Sequence, residues 1–212
     1  MRHLAYFLLL GTALSPAEII DQLAVAVDNS IITSSQIVDE IRVTAFLNGE
    51  PPDFSAANRR RTADRMVEQL LVGREMELTH YAQPNAADIE QSLRQLKARF
   101  PDEAAYRREL AAYKLTEKDV ENALLRQAAL VRFVDLRFRP EVQVQESDVV
   151  QYYENVLLPE LRKKGAPEPA LEDARQQCEE GVAAQLVDRR VDEWLKESRS
   201  RSRIRYEEEA FQ

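Results

Sequence analysis

The chain has 212 residues and a formal net charge of −8, with 44% hydrophobic and 31% charged residues. This composition indicates a globular protein of one or two compact units. The acidic balance argues against nucleic acid as a partner, because phosphate binding needs a local excess of cations. Only five glycines occur beside many Ala, Leu, Glu and Arg residues, which favours a mainly α fold.

The first residues have the pattern of an export signal. Arg2 precedes the apolar run Leu4–Leu14, and Ser15–Ala17 has the small-x-small arrangement that signal peptidases cleave. The run is too short to span a bilayer as a helix, and a buried N-terminal helix is the alternative interpretation. We therefore expect residues 1–17 to be a signal peptide and the remainder to be periplasmic or secreted, without stable membrane insertion.

Two β-branched runs open the remaining chain. Leu23–Val27 and Ile31–Ile32 lie on either side of Asp28–Ser30, a pattern that predicts a β-hairpin. Thr33 and Gln36 then have the spacing of a capping box. The sequence therefore predicts that a helix begins directly after the hairpin.

Capping residues and apolar periods of three and four predict further helices up to Pro140. The first helix is expected to end at Gly49, and the second to run from Ser55 to about Tyr81 with Leu78 on its buried stripe. Three more helices are predicted to begin at Asn85, Asp102 and Thr116. The last of these is expected to have Val131 on its apolar face.

The C-terminal part is predicted to contain a long helix. Ser147 is expected to cap a helix that ends in Arg162–Pro169, the clearest hinge in the chain. A helix of roughly 30 residues, about 45 Å long, should follow, with Trp194 docking it onto the N-terminal helices. Arg203–Tyr206 alternates in polarity and is predicted to be a strand that pairs with the hairpin.

Six segments occur in an order that is known from one protein family. They are Ile20–Ile37, Met66–Leu71, Asp88–Leu93, Tyr106–Leu125, Val144–Glu154 and Val191–Tyr206. Their order resembles that of SurA-type periplasmic chaperones, which begin with a short hairpin and a capped helix. In that family, a helix like Val144–Glu154 leads into a parvulin prolyl-isomerase domain, and a helix and strand like Val191–Tyr206 follow it.

The resemblance implies a domain organisation. Residues 18–140 would form a SurA N-terminal-like helical domain, residues 141–169 a connector helix and Gly/Pro hinge, and residues 170–212 a long helix and strand that pack on the first domain. The parvulin domain would sit in the connector, where only Gly165–Pro169 and a little flanking helix are found. Because the paired histidines and glycine-rich turns of a parvulin site are missing, the resemblance implies no isomerase activity.

The sequence predicts no catalytic, cofactor-binding or metal-binding residues. Motifs for phosphate or dinucleotide binding and for a nucleophilic serine do not occur. His80, expected on a helix, and Cys178, expected to be buried and inert, are too far apart in the chain to suggest a metal site or a nucleophile pair. Arg59–Arg61 and the arginines from Arg199 to Arg205 are interpreted as solvated faces.

Binding is the remaining class of function. We expect an ATP-independent chaperone that holds unfolded secreted or outer-membrane proteins in exposed apolar grooves. Phe46, Leu47 and Phe54 are the candidate client-binding residues, and packing on the next helix is the alternative interpretation for them. A helical module for one specific partner and a diverged prolyl isomerase are the alternative functions, and the sequence leaves homodimer formation open.

Overall fold

The structure, a computed structural model, describes residues 21–212. The helices are α1 (Ser34–Asn48), α2 (Ala56–Leu78), α3 (Ala86–Lys97), α4 (Glu103–Ala112), α5 (Glu117–Arg137), α6 (Glu146–Tyr152), α7 (Leu158–Lys164) and α8 (Leu171–Arg201). The strands are β1 (Leu23–Val27), β2 (Ser30–Thr33) and β3 (Ile204–Tyr206). The predicted mainly α fold, with an N-terminal hairpin and a long C-terminal helix that ends in a strand, is confirmed. The expected signal peptide, residues 1–17, lies outside the described residues.

The two ends of the described chain meet in one antiparallel sheet of order β2–β1–β3. The hairpin turn consists of Asp28 and Asn29, and Asp28 has a left-handed φ of +52°, which aspartate tolerates better than most residues. Arg74 of α2 fixes this turn, because its guanidinium donates to Asp28 Oδ2 at 2.7 Å and to Val27 O at 2.8 Å. The predicted pairing of β3 with the hairpin is confirmed.

Local capping interactions set most helix ends where the sequence placed them. The capping box of Thr33 and Gln36 is present, Gly49 ends α1 with φ +70°, and Ser55 caps α2. The end of α2 differs from the prediction, since it falls at Leu78 and leaves that side chain exposed.

His80 causes the early end of α2. Its φ is +57°, its N–H donates to Glu77 O, and the N–H of Tyr81 donates to Met76 O. These are the two hydrogen bonds of a Schellman motif, in which a left-handed residue ends the helix. His80 therefore lies in a turn and not on a helix, and the prediction was wrong because this position is usually glycine.

The first core cluster joins the sheet to α1, α2, α5 and the C-terminal half of α8. Trp194 packs here against Phe133, with ring centroids 4.9 Å apart, and against Phe138 at 6.2 Å. The predicted anchoring role of Trp194 is confirmed. Val131 is exposed and Phe133 is buried in its place, because the second half of α5 turns a different face to the core than the first half does.

Two of the predicted solvated arginines hold the C-terminal strand instead. The Arg60 guanidinium lies over the Tyr206 ring at 3.7 Å and pairs with Glu208 at 2.6 Å. Arg199 pairs with Asp64 at 3.2 Å and also donates to Tyr206 Oη. The interpretation of the basic clusters as solvated faces is therefore wrong for Arg60 and Arg199.

A separate cluster joins α6 and α7 to the N-terminal half of α8. Its buried members are Val149, Leu157, Ala174 and Cys178. Gln145 and Asp148 form the capping box of α6, so Ser147 is not the cap. Between α6 and α7 the helix widens into a π-helical turn, Tyr153–Leu157. This wider turn makes room for Pro159, whose ring would otherwise clash with the carbonyl group four residues earlier.

Gly181 sets the distance between α6 and α8. A Cβ atom at this position would overlap the ring of Tyr152. Nearby, burial raises the pKa of the Cys178 thiol, and a protonated thiol reacts slowly with alkylating reagents. Cys178 is the only cysteine of the chain, so its alkylation rate reports how tightly these helices are docked.

The Gly181→Ala variant is expected to increase the alkylation rate of Cys178 severalfold, since the added methyl group forces Tyr152 away from α8. The measurement is alkylation by a maleimide at neutral pH, followed by mass spectrometry. Gly73→Ala is the matched control, because a Cβ on Gly73 meets no atom within 4 Å. An unchanged rate in Gly181→Ala would mean that the Tyr152 ring moves aside without loosening the helix pair.

Candidate functional site

An open groove of about 510 Å³ lies between α1, α2 and α5, beside the strand β2. We call it the α1–α2–α5 groove. It is lined by Ile31, Ile32, Gln36, Asp39, Glu40, Val43, Met66, Gln69, Leu70, Val72, Gly73, Gln83, Asp119, Asn122, Arg126, Ala129 and Leu130. Ligand pockets of proteins usually measure about 300–1,000 Å³, so this groove is large enough to hold several side chains of a partner.

The floor of the groove is aliphatic. Val43 and Val72 are buried beneath it, whereas Met66 and Leu70 are partly accessible. Gly73 contributes no side chain, and a Cβ atom there would meet open space. The groove therefore has free space near the C-terminal end of α2, where the sequence has a glycine and another residue would add a side chain.

Two exposed aliphatic side chains stand at the margins of the groove. Ile31 on β2 is 61% exposed and Leu130 on α5 is 41% exposed. Both line the cleft, one at the strand and one at the facing helix. Exposed apolar surface next to an apolar floor is the usual mark of a protein-binding or ligand-binding groove.

The charged residues of the groove are held by partners within the protein. Glu40 of α1 and Arg126 of α5 form an ion pair at 2.6 Å that links the two helices, and Asp39 pairs with Arg42 at 2.8 Å. Asp119 accepts a hydrogen bond from the Thr116 N–H at 2.7 Å. Three carboxylates and one guanidinium line the groove, and since Arg42 and Arg126 neutralise two of the carboxylates, the rim has a small acidic excess at Asp119.

The loop that carries Gln83 is fixed to α5. Arg132 donates to Ala82 O at 3.2 Å and to Asp88 at 2.6 Å. The hydrogen bond from the Asn85 N–H, followed by the contact with Arg132, lowers the pKa of Asp88. Gln83 and Gln69 both line the groove, and their amide groups can donate or accept hydrogen bonds as a partner requires.

The candidate residues from the sequence do not line this groove. Phe46 is only 3% exposed and stacks on Phe100 at 6.0 Å, and Leu47 packs against the same core cluster of α1, α3, α4 and α5. Phe46 and Leu47 thus pack inside the protein, although against α3, α4 and α5 and not on the next helix, α2, and Phe46 offers no surface to a client. Phe54 is 37% exposed, with the Arg42 guanidinium 5.9 Å from its ring, and its role in client binding stays a prediction.

Sequence reasoning did not find the groove residues. The sequence pattern places Ile31 only in the hairpin and predicts no apolar face that contains Leu130. A signal for Leu130 does exist, because Ala128–Val131 contains more consecutive apolar residues than one helix face can bury. Such a run predicts that at least one of its side chains is exposed.

Other kinds of site are not found in the described part of the chain. Residues 21–212 contain no group of three or more His, Cys, Asp or Glu side chains placed to hold a metal ion. Among the same residues, every helix is too short or too polar to cross a membrane. The α1–α2–α5 groove is therefore the candidate functional site.

Comparisons with models of protein families and with curated proteins give no match to this sequence. The likeness to SurA-type chaperones stays a prediction from the six segments. Function is therefore inferred from the groove itself.

Proposed function

We propose that the protein is an ATP-independent chaperone that holds apolar segments of unfolded secreted or outer-membrane proteins in the α1–α2–α5 groove. The observation that carries this proposal is the open aliphatic groove with Ile31 and Leu130 exposed at its margins. Aliphatic contacts are not directional, so one groove can accept many different sequences. The likeness to a family of periplasmic chaperones supports the same function.

The polar rim suits a binder of many clients. The side chains of Gln69 and Gln83 can adapt to different partners, and ion pairs already hold Glu40 and Asp39. A bound client therefore leaves no charge of the groove newly unpaired, which would be costly. Micromolar affinity corresponds to only about 8 kcal/mol, an amount that many weak contacts supply without an energy source such as ATP.

The direct test is the aggregation of an unfolded β-barrel protein, followed by light scattering with and without the purified chain. The proposal expects suppression of aggregation at a few-fold molar excess. Continued aggregation at that excess would contradict the proposal. A pull-down that returns one stoichiometric protein, with no unfolded clients, would instead favour a module for a specific partner.

Substitution of Leu130 tests whether the groove is the binding site. Leu130→Gln is expected to raise the concentration needed for half-suppression about fivefold, because burying the exposed part of a leucine contributes roughly 1 kcal/mol. Val131→Gln is the matched control, since Val131 is the next residue of α5, is also exposed, and does not line the groove. Equal losses in the two variants would show that clients bind elsewhere.

A further inference from the structure

We propose that a client segment binds as an additional β-strand on the open edge of β2 and places alternate apolar side chains in the α1–α2–α5 groove. This inference rests on the proposed function and specifies the conformation and chemistry of the client. Within residues 21–212, β2 is one of the two outer strands of the sheet, which has the order β2–β1–β3, and it is the one that borders the groove. Binding by strand addition would combine main-chain hydrogen bonds with pockets for alternate side chains.

The hydrogen bonds of β1 show which way its backbone groups point. The N–H of Asp28 donates to Arg203 O, and Ala24 O accepts from the N–H of Glu207. The even-numbered residues of this segment therefore turn their backbone groups toward β3. Because the direction alternates along an antiparallel strand, Val25 and Val27 turn theirs toward β2.

The same alternation leaves the backbone of Ile31 facing outward. Val25 lies opposite Ile32, and Val27 lies opposite Ser30, so these two residues of β2 make the ladder to β1. Ile31 lies between them and turns its N–H and C=O to the other edge. Thr33, two residues further, confirms the direction, since its N–H donates outward to Gln36 Oε1 at 3.0 Å.

The open edge and the groove adjoin each other. Ile31 and Ile32 of the edge strand both line the groove, although their side chains point to opposite faces of the sheet. Ile32 is buried on the inner face, toward the helices. A strand added next to β2 would extend this inner face over Met66 and Leu70 of α2. Its inward side chains would therefore enter the groove.

The lining also defines the chemistry of the added strand. Its inward positions should be aliphatic, to match the floor, and its flanks should be neutral or basic, since three carboxylates and one guanidinium line the rim. Alternation of apolar and polar residues over about ten positions is the signature of outer-membrane β-barrel strands. An extended segment of this type, with a cationic flank, is the client that fits.

Backbone methylation of a peptide tests the strand geometry. The probe is a fluorescein-labelled nonapeptide that alternates threonine and valine between two terminal lysines, and its binding to the full chain is measured by fluorescence anisotropy. The added strand is taken to run antiparallel to β2, so with the valines in the groove the threonine N–H groups face β2. Methylation of the central threonine nitrogen is expected to weaken binding about tenfold or more through lost hydrogen bonds. Methylation of the neighbouring valine nitrogen leaves the affinity close to that of the parent peptide.

Variants at Ile31 test the protein side of the same contact. Ile31→Pro removes the outward N–H, and proline is tolerated on an edge strand whose N–H faces solvent. This variant is expected to bind the probe about tenfold more weakly with little change in melting temperature. Ile31→Thr is the matched control that keeps the donor. Hydrogen exchange of the Ile31 amide should also slow when the parent peptide is added.

Each other outcome overturns the strand geometry in its own way. Equal binding of the two methylated peptides, both weakened by Leu130→Gln, would mean that the groove holds clients without strand addition and would leave the proposed function intact. No peptide binding together with no suppression of aggregation would end both proposals. A dimer that Ile31→Pro abolishes would show a second copy on this edge. An Ile31 amide protected in the free full chain would show that another part of the chain covers it.

Discussion

Replacing Trp194 by alanine is expected to lower the free energy of unfolding by about 3–5 kcal/mol, the usual cost of truncating a buried tryptophan. Trp194 is buried between Phe133 and Phe138, where α8 crosses the end of α5. The Trp194 ring holds α8 against Phe133 of α5 and against Phe138, which directly follows that helix. Its removal leaves a cavity that these rigid rings cannot close.

Urea denaturation followed by circular dichroism measures this effect. Trp194→Phe is the matched control and should retain most of the stability, because a phenyl ring still fills much of the site. Phe54→Ala is a second control, since it truncates an aromatic residue outside the core clusters and should cost about 1 kcal/mol or less. A loss below about 1 kcal/mol in Trp194→Ala would contradict the view that this residue docks α8.

Ion pairs also join α8 to α2, on the face of α2 that points away from the groove. Arg199 of α8 pairs with Asp64 and with Glu68, at 3.2 and 3.4 Å. Burial raises the pKa of Glu68, although its ion pair with Arg199 opposes that shift. The C-terminal helix therefore contacts one face of α2, at Asp64 and Glu68. The opposite face of α2 forms one wall of the groove. The long helix thus supports the binding site without lining it.

Local sequence signals explain why so much of the fold could be predicted. Thr33 with Gln36, Ser55, and Gly49 each interact with neighbouring backbone groups, so their effect does not depend on the rest of the chain. The wrong end of α2 has a local cause as well, because His80 adopts a left-handed conformation that sequence patterns assign to glycine. Helix ends can thus be predicted from the sequence where the capping residues are of the common types.

The groove could not be predicted in this way because its residues are distant in the chain. Ile31, Leu70 and Leu130 meet only through the angles at which β2, α2 and α5 pack. The burial of Phe46 depends on packing in the same way. One buried stripe per helix would leave Phe46 exposed, but α1 serves two cores, with Ile37 in one and Phe46 in the other. An apolar residue of α1 that lies outside the face of Ile37 can therefore still be buried, in the second core.

Gly73 gives the strongest test of the proposed site, because one substitution there should change stability and function in opposite directions. The Gly73→Leu variant is expected to be more stable by up to about 1 kcal/mol, since glycine inside a helix costs that much relative to good helix formers. A Cβ at this position meets no atom within 4 Å. The longer leucine side chain would extend into the groove and occupy the space of the client.

Suppression of client aggregation by Gly73→Leu is therefore expected to fall about tenfold, a change equal to roughly 1.4 kcal/mol of binding, while its melting temperature rises. Gly73→Ala should show the same rise and a smaller functional loss, because a methyl group fills less of the groove. Glu77→Leu is the control for added apolar surface, since Glu77 is an exposed residue of α2 that does not line the groove. A Gly73→Leu protein that still holds clients as well as the wild type would place the binding surface elsewhere. Most inactivating substitutions also destabilise a protein, so a stabilised variant that no longer binds clients would identify the groove as the site of function.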